Sequence, residues 1–483
     1  MLSIADSLFH LSDIRADSSL FSSETIDRLT NAEALYFYKD LGVNTVILAR
    51  DARLSGSDIL DTKCNILLSL GFDVILYQNP ISTPFFYFAC LNYIDAAGIM
   101  ISASHNPKNY NGEKLIGPNL IPISSNYEKT GSLDKIRNYF ESGCKIENPA
   151  RKGKVIIKDL KDSYIEFAKN YIDNEGSYFK GSILFDFLSG SASVELLPYL
   201  TTFSSFSFKN FVPNGSFPQG DPNPIKRKIT SFDEDYLIMF DGDGDRMDVI
   251  SKDLKQIPPS AIFTLILPYI SKKKGTVCLD PKASPLIIKY LNSNGYKTLT
   301  VPNGHSQIKR IMNDDKSIIA AVEESGHYYI NIKYNDNIYA TENIAIVLLA
   351  LLKALENDSE KLSFLISLTN SYFREREWTY SFEDNEVRKA KLREITEIFL
   401  SLGYSKKDTL YDGTPLGSVI LTKDTDDWVQ VTLRASETEL FIARFEVLAK
   451  AQEEGKKVKA LIMDVLSKNH ILHRVGEKPR LNA

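Results

Sequence analysis

Short apolar runs alternate with amphipathic stretches along the first 150 residues. NTVILAR at 44–50 and GFDVILY at 71–77 are typical of buried strands, and GSDILDTKCNILLSLG between them has helical spacing. Because strands joined through a helix usually lie parallel in one sheet, this rhythm predicts an α/β unit. The polar stretch at 141–153 predicts a linker at its end.

The same rhythm continues to about residue 370. Further strands are predicted at 154–158, 182–188, 236–240, 276–280, 297–302 and 317–324. A helix is indicated by apolar residues on a single face, namely Leu160, Tyr164, Phe167, Ala168 and Tyr171. The Pro-, Gly- and Asn-rich segment 211–224 predicts a loop, and a buried helix around 341–355 closes the third unit.

The pattern changes after residue 370. A long helix is predicted around 383–402, followed by strands near 417–421, 428–434 and 441–447 and a helix near 455–468. The tail, EKPRLNA, is expected to be disordered. The chain therefore divides into four expected units, with borders at 1–150, 151–252, 253–370 and 371–483.

Composition narrows the class of protein. With 483 residues, 43% hydrophobic and 25% charged, most of the chain is expected to fold into globular domains. A net charge of −5 argues against a nucleic-acid binder and a polybasic membrane anchor. The four cysteines form no CxxC pair, and the start of the chain has no targeting pattern, so the expected location is the cytoplasm.

The most informative segment is FDGDGDRMD at 240–248, directly after an apolar strand. Glycines between Asp241, Asp243 and Asp245 let the backbone turn, so that three carboxylates converge as Mg²⁺ or Ca²⁺ requires. An EF-hand does not fit, because its sixth position is Arg246 and its twelfth is Lys252. A solvated acidic turn is the alternative, but the buried strand and the adjacent arginine favour a metal site.

Polar residues also follow the strand GIMIS in the segment SASHNP. Ser104 stands at the strand's end, where α/β sheets place ligands, although a plain Ser/Asn turn would look the same. As a nucleophile this serine needs an activating group, and no Ser-His-Asp spacing identifies one.

Three later loops carry similar groups. AVEESGHYYI at 321–330 offers a carboxylate and a hydroxyl that can bind neighbouring sugar hydroxyls, and LRASETELFIARFE at 433–446 offers a guanidinium and two hydroxyls suited to a phosphate. VPNGHSQIKR at 301–310 places a histidine near a helix start. Each of these loops alone could be a polar turn. However, three of the six histidines, His105, His305 and His327, directly follow strands, which favours a functional site.

In combination and in this order, SASHNP, DGDGDR, ESGH and RxSxTE resemble the α-D-phosphohexomutase family, of the phosphomannomutase/phosphoglucomutase type. The resemblance extends from about residue 8 to about residue 450. It implies three similar mixed-sheet α/β domains and a smaller α+β C-terminal domain with an antiparallel sheet. These four domains would surround a central cleft to which each contributes a loop.

The resemblance also implies roles for residues at the reacting phosphate. Ser104 matches the phosphoserine, and Asp241, Asp243 and Asp245 match the Mg²⁺ ligands, with a phosphoserine oxygen completing the metal shell. Arg15, in the Asp13-Ile14-Arg15 motif, matches an active-site arginine, and Asp51 and Arg53 of the next loop have a structural role. The implied catalytic residues are Ser104, Arg15, Lys114, Arg246, His305 and His327.

A second set is implied for the sugar and its other phosphate. Glu323 and Ser325 match the pair that selects the sugar, and Lys282 matches a further binding position. The non-reacting phosphate would be held by Arg434, Ser436 and Thr438. The general base stays open among Lys114, His305 and His327, since each could accept a hydroxyl proton.

The sequence departs from the family pattern at several positions. In the phosphate loop Ala435, Glu437 and Leu440 stand where Pro, Gly or Asn, and Pro are usual. Glu437 adds a negative charge where a phosphate should bind. Val322, Ser12 and Ala16 replace the usual Gly, Tyr and Gly, but the chemical residues are kept, so an active enzyme is expected.

The implied activity is a Mg²⁺-dependent mutase that interconverts hexose 1-phosphates and hexose 6-phosphates, with hexose 1,6-bisphosphate as intermediate and activator. Mannose and glucose phosphates are the expected substrates; glucosamine or N-acetylglucosamine phosphate is the first alternative. A non-catalytic sugar-phosphate-binding protein is an alternative of another class, and a phosphatase is a weaker one. The expected partners are small sugar phosphates, with no nucleic acid and no membrane, and the protein is expected to be a monomer or a homodimer.

Overall fold

The computed structural model describes residues 3–125, 131–147, 149, 151–172, 178–410, 413–436 and 441–467, without the side chains of 376 and 377. The strands of these residues form four sheets that follow one another along the chain. The expected α/β fold is confirmed. Among the described residues, no helix is long and apolar enough to cross a membrane.

The first sheet is mixed, with the strand order β1-β5-β4-β2-β3-β7 and β6 beside β5. β2 is parallel to both β3 and β4, as the strand–helix–strand rhythm predicts. Its strands are β1 (Ile14–Asp17), β2 (Thr45–Arg50), β3 (Asp73–Leu76), β4 (Ala97–Ile101), β5 (Tyr110–Ile116), β6 (Pro122–Ile123) and β7 (Val155–Ile156). Its helices are α1 (Ile4–Leu8), α2 (Ser23–Leu35), α3 (Gly56–Ser69), α4 (Thr83–Asn92) and α5 (Ser132–Ser142).

The second sheet has the order β12-β11-β10-β8-β9, with β8, β9 and β10 parallel and β11 and β12 antiparallel. Its strands are β8 (Ile183–Asp186), β9 (Phe206–Lys209), β10 (Tyr236–Phe240), β11 (Met247–Ser251) and β12 (Gln256–Ile257), and its helices are α6 (Lys161–Tyr171) and α7 (Ser193–Leu200). Tyr164 and Ala168 of α6 are fully buried, which confirms the predicted helix face.

The third sheet has the order β14-β13-β15-β16-β17. Its strands are β13 (Thr276–Leu279), β14 (Lys297–Thr300), β15 (Ile318–Val322), β16 (Tyr328–Tyr334) and β17 (Asn337–Glu342). Its helices are α8 (Pro259–Ile270), α9 (Pro285–Ser293), α10 (His305–Asp314), α11 (Ile344–Asn357) and α12 (Ser359–Asn370).

The fourth sheet is antiparallel throughout, with the order β18-β22-β21-β20-β19. Its strands are β18 (Phe373–Ser381), β19 (Ser405–Thr409), β20 (Pro415–Lys423), β21 (Val429–Ala435) and β22 (Ile442–Ala449), and its helices are α13 (Asn385–Ser401) and α14 (Gln452–Ser467). It packs its helices over a core of its own, whereas one continuous apolar core contains side chains of the first three units.

One detail of the predicted organisation is wrong. The strand expected to open the second unit, at 154–158, is β7, which pairs with the open edge of β3 in the first sheet. The helix expected around 341–355 is α11, which begins at Ile344 because the side chain of Asn343 caps it by accepting the Ile346 N–H. Thr341 and Glu342 instead end β17.

The position of β12 also matters for the unit borders. β12 pairs with β11 and so continues the second sheet to residue 257. Together with β7, this pairing favours borders near 157 and 258 over 150 and 252. The division into four domains itself stays a prediction.

Candidate active site

A cavity of about 400 Å³ is lined by loops from all four units. It brings together residues that are up to 432 positions apart in the chain, from Ser12 to Arg444. The residues singled out from the sequence that line it are Arg15, Ser104, Lys114, Asp245, Arg246, Lys282, His305, Glu323, Ser325, His327, Arg434 and Ser436. Asp241 lies just behind Ser104, and Thr438, Glu437 and Leu440 are outside the described residues.

Ser104 lies in a buried turn directly after β4. Its backbone has φ 49°, a left-handed conformation that is uncommon for a residue with a side chain. Its Oγ donates to Asp241 Oδ2 at 3.1 Å, and its backbone N–H donates to Ser102 Oγ at 2.8 Å. The hydroxyl is therefore held beside the carboxylates by a strained turn, an arrangement common at functional sites.

Arg53 holds this turn in place. Its guanidinium donates to the carbonyl oxygens of Ser104 and Asn106 at 2.8 and 2.6 Å, and to those of Pro107 and Tyr110 at 2.7 and 2.8 Å. Arg53 is fully buried, and Asp51 balances its charge at 3.2 Å. Because its guanidinium donates to four backbone oxygens of this turn and to Asp51, its role in the structure is to position the serine loop.

The three aspartates converge as the sequence predicts. One oxygen from each of Asp241, Asp243 and Asp245 lies within 4.8 Å of the others, and all three side chains are buried. Gly242 is required here, because a Cβ at this position would lie 2.7 Å from the Ser104 carbonyl oxygen. Burial, together with the charges of Asp245 and Asp243, raises the pKa of Asp241 well above its ordinary value.

Lys114 and Thr83 bind the outer oxygens of this cluster. Lys114 Nζ donates to Asp243 Oδ2 at 2.7 Å and to Asp245 Oδ2 at 2.5 Å, and Thr83 Oγ1 donates to Asp243 Oδ2 at 2.5 Å. Asp243 Oδ1 and Asp245 Oδ1 are buried without a hydrogen bond in the described part of the chain. Two buried oxygens without donors, in a cluster of three convergent carboxylates, fit a hard divalent cation such as Mg²⁺.

Strand pairing explains how Lys114 and Arg15 reach this place. β5 pairs Lys114 with Met100 on β4, the strand that leads to Ser104, and β1 pairs Arg15 with Gly112. A Cβ at Gly112 would lie 2.2 Å from the Ile14 carbonyl oxygen, so glycine permits the close approach. Arg15 donates to Asn106 Oδ1 at 2.9 Å and pairs with Asp13.

The turn at 323–327 forms another wall of the cavity. Glu323 Oε1 accepts from Asn303 Nδ2 at 3.2 Å and from the Gly304 N–H at 3.1 Å, and Glu323 Oε2 accepts from Tyr329 at 2.5 Å. Although burial opposes the shift, the His327 charge and these donors lower the pKa of Glu323. Glu323 is therefore an oriented carboxylate at the cavity, as binding of sugar hydroxyls requires.

A direct contact joins this turn to the carboxylate cluster. Arg246 Nε donates to His327 Nε2 at 3.0 Å, and the Met247 N–H donates to the Gly326 carbonyl at 3.0 Å. His327 Nδ1 lies 3.6 Å from Asp245 Oδ1. Burial lowers the pKa of His327 but the Asp245 carboxylate raises it, and the net shift is upward.

His305, the third candidate base, begins α10. Its ring is buried, and its Nε2 makes no hydrogen bond with the described residues. Burial and the nearby charges of Lys309 and Lys114 lower the pKa of His305 well below its ordinary value.

The fourth unit contributes two facing arginines. Arg434 on β21 lies directly opposite Arg444 on β22, and both line the cavity. Like charges at directly opposed positions destabilise a sheet, so this pairing is typical of a place where an anion binds. The Ser436 N–H donates to the Ile442 carbonyl at 2.8 Å, which closes the end of this hairpin.

Some side chains at the site were not found from the sequence. Arg444 could have been found, because it stands on the same strand pair as Arg434 in the segment IARFE, opposite a loop with phosphate-binding groups. Thr83 and Asn303 gave no signal, since each lies in an ordinary helix or loop start and acts only through a distant carboxylate.

The sequence and the structure were compared with known proteins. Residues 6–141 match the family described as Phosphoglucomutase/phosphomannomutase, alpha/beta/alpha domain I, and residues 258–372 match alpha/beta/alpha domain III of the same family. A phosphoglucomutase of Neisseria meningitidis serogroup A is 26% identical over 379 residues, which cover 76% of this chain and 79% of that protein.

Two other proteins are similar over a larger part of the chain. A phosphoglucomutase/phosphomannomutase of Thermococcus kodakarensis is 27% identical over 423 residues, covering 85% of this chain and 87% of that protein. The crystal structure of a phosphoglucomutase/phosphomannomutase family protein from Burkholderia thailandensis has a TM-score of 0.75 at 18% identity, covering 98% and 100% of the two chains.

Proposed function

Because this chain belongs to the phosphoglucomutase/phosphomannomutase family of α-D-phosphohexomutases, which are isomerases, we propose that it interconverts hexose 1-phosphates and hexose 6-phosphates. Mannose and glucose phosphates are the proposed substrates. One observation carries the proposal: a buried serine 3.1 Å from a carboxylate of the acidic cluster shares a single cavity with two facing arginines. Phosphoryl transfer to a sugar phosphate needs both a reacting group and an anion site.

The donor set supports Mg²⁺ as the cofactor. Asp241, Asp243 and Asp245 would hold the ion, with an oxygen of phosphorylated Ser104, and the buried oxygens without donors on Asp243 and Asp245 support this choice. When bound, Mg²⁺ supplies positive charge beside the transferring phosphoryl group.

The residues of the chain would share the remaining work. Ser104 Oγ gives its phosphoryl group to a sugar hydroxyl, so the Ser104 O–P bond breaks as the sugar O–P bond forms, and the hydroxyl proton passes to a base. Lys114 is a poor base, because Asp243 and Asp245 already accept from its ammonium group. His327 Nε2 carries the lone pair of the neutral ring and accepts from Arg246 Nε at 3.0 Å, so His327 is the proposed base, taking the hydroxyl proton once the Arg246 guanidinium turns from the ring to the phosphate.

The other groups would bind the part of the substrate that does not react. Arg434, Arg444 and Ser436 would hold the second phosphate, and Glu323, Ser325 and Lys282 would bind the sugar. The bisphosphate formed in the first transfer must turn over, so that its other phosphate can return to Ser104. A hexose 1,6-bisphosphate is therefore the proposed intermediate and activator.

Phosphorus NMR tests the proposal directly. The protein would be incubated with Mg²⁺, a trace of glucose 1,6-bisphosphate, and mannose 1-phosphate or glucose 1-phosphate. We expect hexose 6-phosphate to appear with the wild type and not with Ser104→Ala or after removal of Mg²⁺ by EDTA. The ratio of the two rates identifies the preferred sugar.

Other outcomes would replace the proposal. Turnover of glucosamine or N-acetylglucosamine phosphate alone would change the substrate class. Release of inorganic phosphate alone would make the protein a phosphatase. Binding without any conversion would make it a sugar-phosphate-binding protein.

A further inference from the structure

Glu342 is a buried carboxylate beside His327 that belongs to none of the sequence motifs. It is the last residue of β17, where the strand pairing places it opposite Tyr329 and therefore diagonal to His327. Its side chain is only 2% exposed. A carboxylate this far from water needs a partner of opposite charge or a strong donor.

Two groups approach this carboxylate from different elements. Its Oε1 lies 3.6 Å from His327 Nδ1, and its Oε2 lies 3.6 Å from Lys309 Nζ on α10. Lys309 is 1% exposed and lies over the Tyr87 ring, 3.7 Å from the ring centroid. Glu342 thus lies between an imidazole and an ammonium group in a dry part of the protein.

A hydrogen bond at the far edge of the His327 ring determines which ring nitrogen carries the proton and faces Glu342. Arg246 Nε only donates, so His327 Nε2 accepts, and the proton of a neutral ring is on Nδ1. That Nδ1–H faces two carboxylate oxygens at 3.6 Å, Asp245 Oδ1 and Glu342 Oε1. The Tyr329 ring, at a 21° interplanar angle to the imidazole, packs along the same face.

The two carboxylates are not equivalent once a cation is bound. Asp245 Oδ1 is one of the buried oxygens that fit the proposed Mg²⁺, so it is then engaged with the ion. Glu342 is not one of the three convergent aspartates and remains as the acceptor that faces the Nδ1–H, although neither of its oxygens makes a hydrogen bond with the described residues. At 3.6 Å the contact is longer than a hydrogen bond, and catalytic hydrogen bonds that are long without substrate often tighten when substrate binds.

From these contacts we infer that Glu342 is the positioning residue of His327: it fixes the imidazole with Nδ1 protonated and Nε2 turned to Arg246 in the cleft lining, and Lys309 balances its charge. The catalytic consequence rests on the proposed function, in which His327 accepts the sugar hydroxyl proton. The orientation of the His327 ring does not rest on the proposed function, because it follows from contacts within this chain.

A metal site is the alternative role for Glu342. The possible ligand atoms of Asp245, His327 and Glu342 lie within 4.8 Å of one another. Such an ion would need the lone pair of Nδ1, whereas the Arg246 contact leaves the lone pair on Nε2. Lys309, 3.6 Å from Glu342, also repels a cation there. The contacts therefore favour the positioning role.

Steady-state kinetics of Glu342→Gln test the consequence for catalysis. We expect kcat to fall about 10- to 100-fold, as is typical when the partner of a functional histidine is removed, with KM changed less than about threefold. Glu342→Asp keeps the charge and should recover part of the lost kcat.

Glu33→Gln is the matched control. Glu33 is fully buried and pairs with Lys63 at 2.6 Å, but it lies on α2, away from the cleft lining. The Glu33→Gln variant should lose stability, as Glu342→Gln does, but it should keep the kcat of the wild type. An equal loss of kcat in both variants, or a wild-type kcat in Glu342→Gln, would overturn the inference.

Nitrogen-15 NMR of the histidine rings tests the orientation without any assay of activity. The chain has only six histidines, and the signal missing in His327→Asn identifies the one of interest. We expect a protonated Nδ1 in the wild type, a changed His327 signal in Glu342→Gln, and an unchanged one in Glu33→Gln.

Three NMR results would overturn the inference. They are a wild-type ring protonated on Nε2 alone, a His327 signal that Glu342→Gln leaves unchanged, and a Zn²⁺-induced shift of Nδ1 that requires Glu342. Because none of these readings needs turnover, a protein that fails to convert sugar phosphates can still confirm or refute the role of Glu342.

Discussion

The two groups of charged residues in the cleft are held in different ways. The serine–carboxylate cluster, formed by Ser104, Asp241, Asp243, Asp245 and Lys114, is built across the first two units by buried contacts of 2.5–3.1 Å. The units behind it share one continuous apolar core. The arginine pair, Arg434 and Arg444, belongs to the fourth unit, which has a core of its own.

Several polar contacts join the fourth unit to the third. Gln430 and Thr432 donate to the Pro281 carbonyl at 3.3 and 3.2 Å, and Arg374 pairs with Glu324 at 2.7 Å. Hydrogen bonds of this kind contribute about 1 kcal/mol each, and a shared core contributes far more. The proposed reacting groups are therefore fixed by contacts between the first two units, whereas the arginines proposed to hold the second phosphate lie on a unit with an apolar core of its own.

The sharpest test of this difference is Asp243→Asn. Its Oδ2 accepts from Lys114 and Thr83, and its Oδ1 faces the proposed cation, so the change removes charge where the transferred phosphoryl group would lie. We expect kcat to fall about 100- to 1,000-fold, with little change in KM. A kcat within tenfold of wild type, measured at saturating Mg²⁺, would contradict the role of the cluster.

Arg444→Ala tests the other group. Loss of a charge-assisted bond to a phosphate costs about 1.5–3 kcal/mol, so kcat/KM should fall about 10- to 150-fold, chiefly through KM. Arg444→Lys is the control, because it keeps the charge without the planar fork and should lose less. If Arg444→Ala lowers kcat as strongly as Asp243→Asn does, the arginine pair does not act chiefly through substrate binding, and the expected difference between the two groups is wrong.

Glu195→Gln tests how the first two units are joined behind the cluster. Glu195 of α7 accepts the Ser82 N–H of the first unit at 2.9 Å, and burial raises the pKa of Glu195 to about 8. Its ordinary value is 4.5, so the folded protein holds this proton more tightly than the unfolded chain. The resulting stability is complete below about pH 4.5 and is lost as the pH rises through about 8.

Glutamine keeps the acceptor and removes the charge, so the variant should lose this pH dependence. We expect its free energy of unfolding in urea to exceed that of wild type by about 3–5 kcal/mol at pH 9, and to be similar at pH 4, with kcat changed less than about threefold. Parallel curves for the two proteins between pH 4 and 9 would show that this carboxyl does not titrate with folding.

The smallest expected effect concerns Glu437, next to the arginine pair in sequence. Asparagine, which the family pattern favours there, removes one negative charge near the proposed phosphate and should lower KM about two- to fivefold. If the Glu437 charge acts on the substrate, the gain should shrink at high ionic strength, because salt screens interactions between charges. A KM that does not change at low salt would mean that the Glu437 charge does not act on the substrate.

How much of the fold could be predicted depended on how strongly each element is apolar. YLIMF at 236–240 coincides with β10, and the helix expected around 383–402 is α13. β5 was not predicted, because its segment YNGEKLI contains Glu113 and Lys114, polar residues that only tertiary contacts bury. The apolar pattern also located the strand at 154–158 but could not assign it to a sheet, since pairing depends on which edge is open.

The sequence by itself determined which chemical groups this protein has and that Ser104, the three aspartates and Glu323 follow strands. Apolar runs, glycines and the residues after them are local features, and a local pattern is enough to form a strand and its turn. The tertiary structure alone decided which charges face each other: Lys114 against Asp243 and Asp245, Arg434 against Arg444, and Glu342 against His327. These partners come from distant segments, and their distances depend on strand register and on packing between sheets, which no local pattern contains.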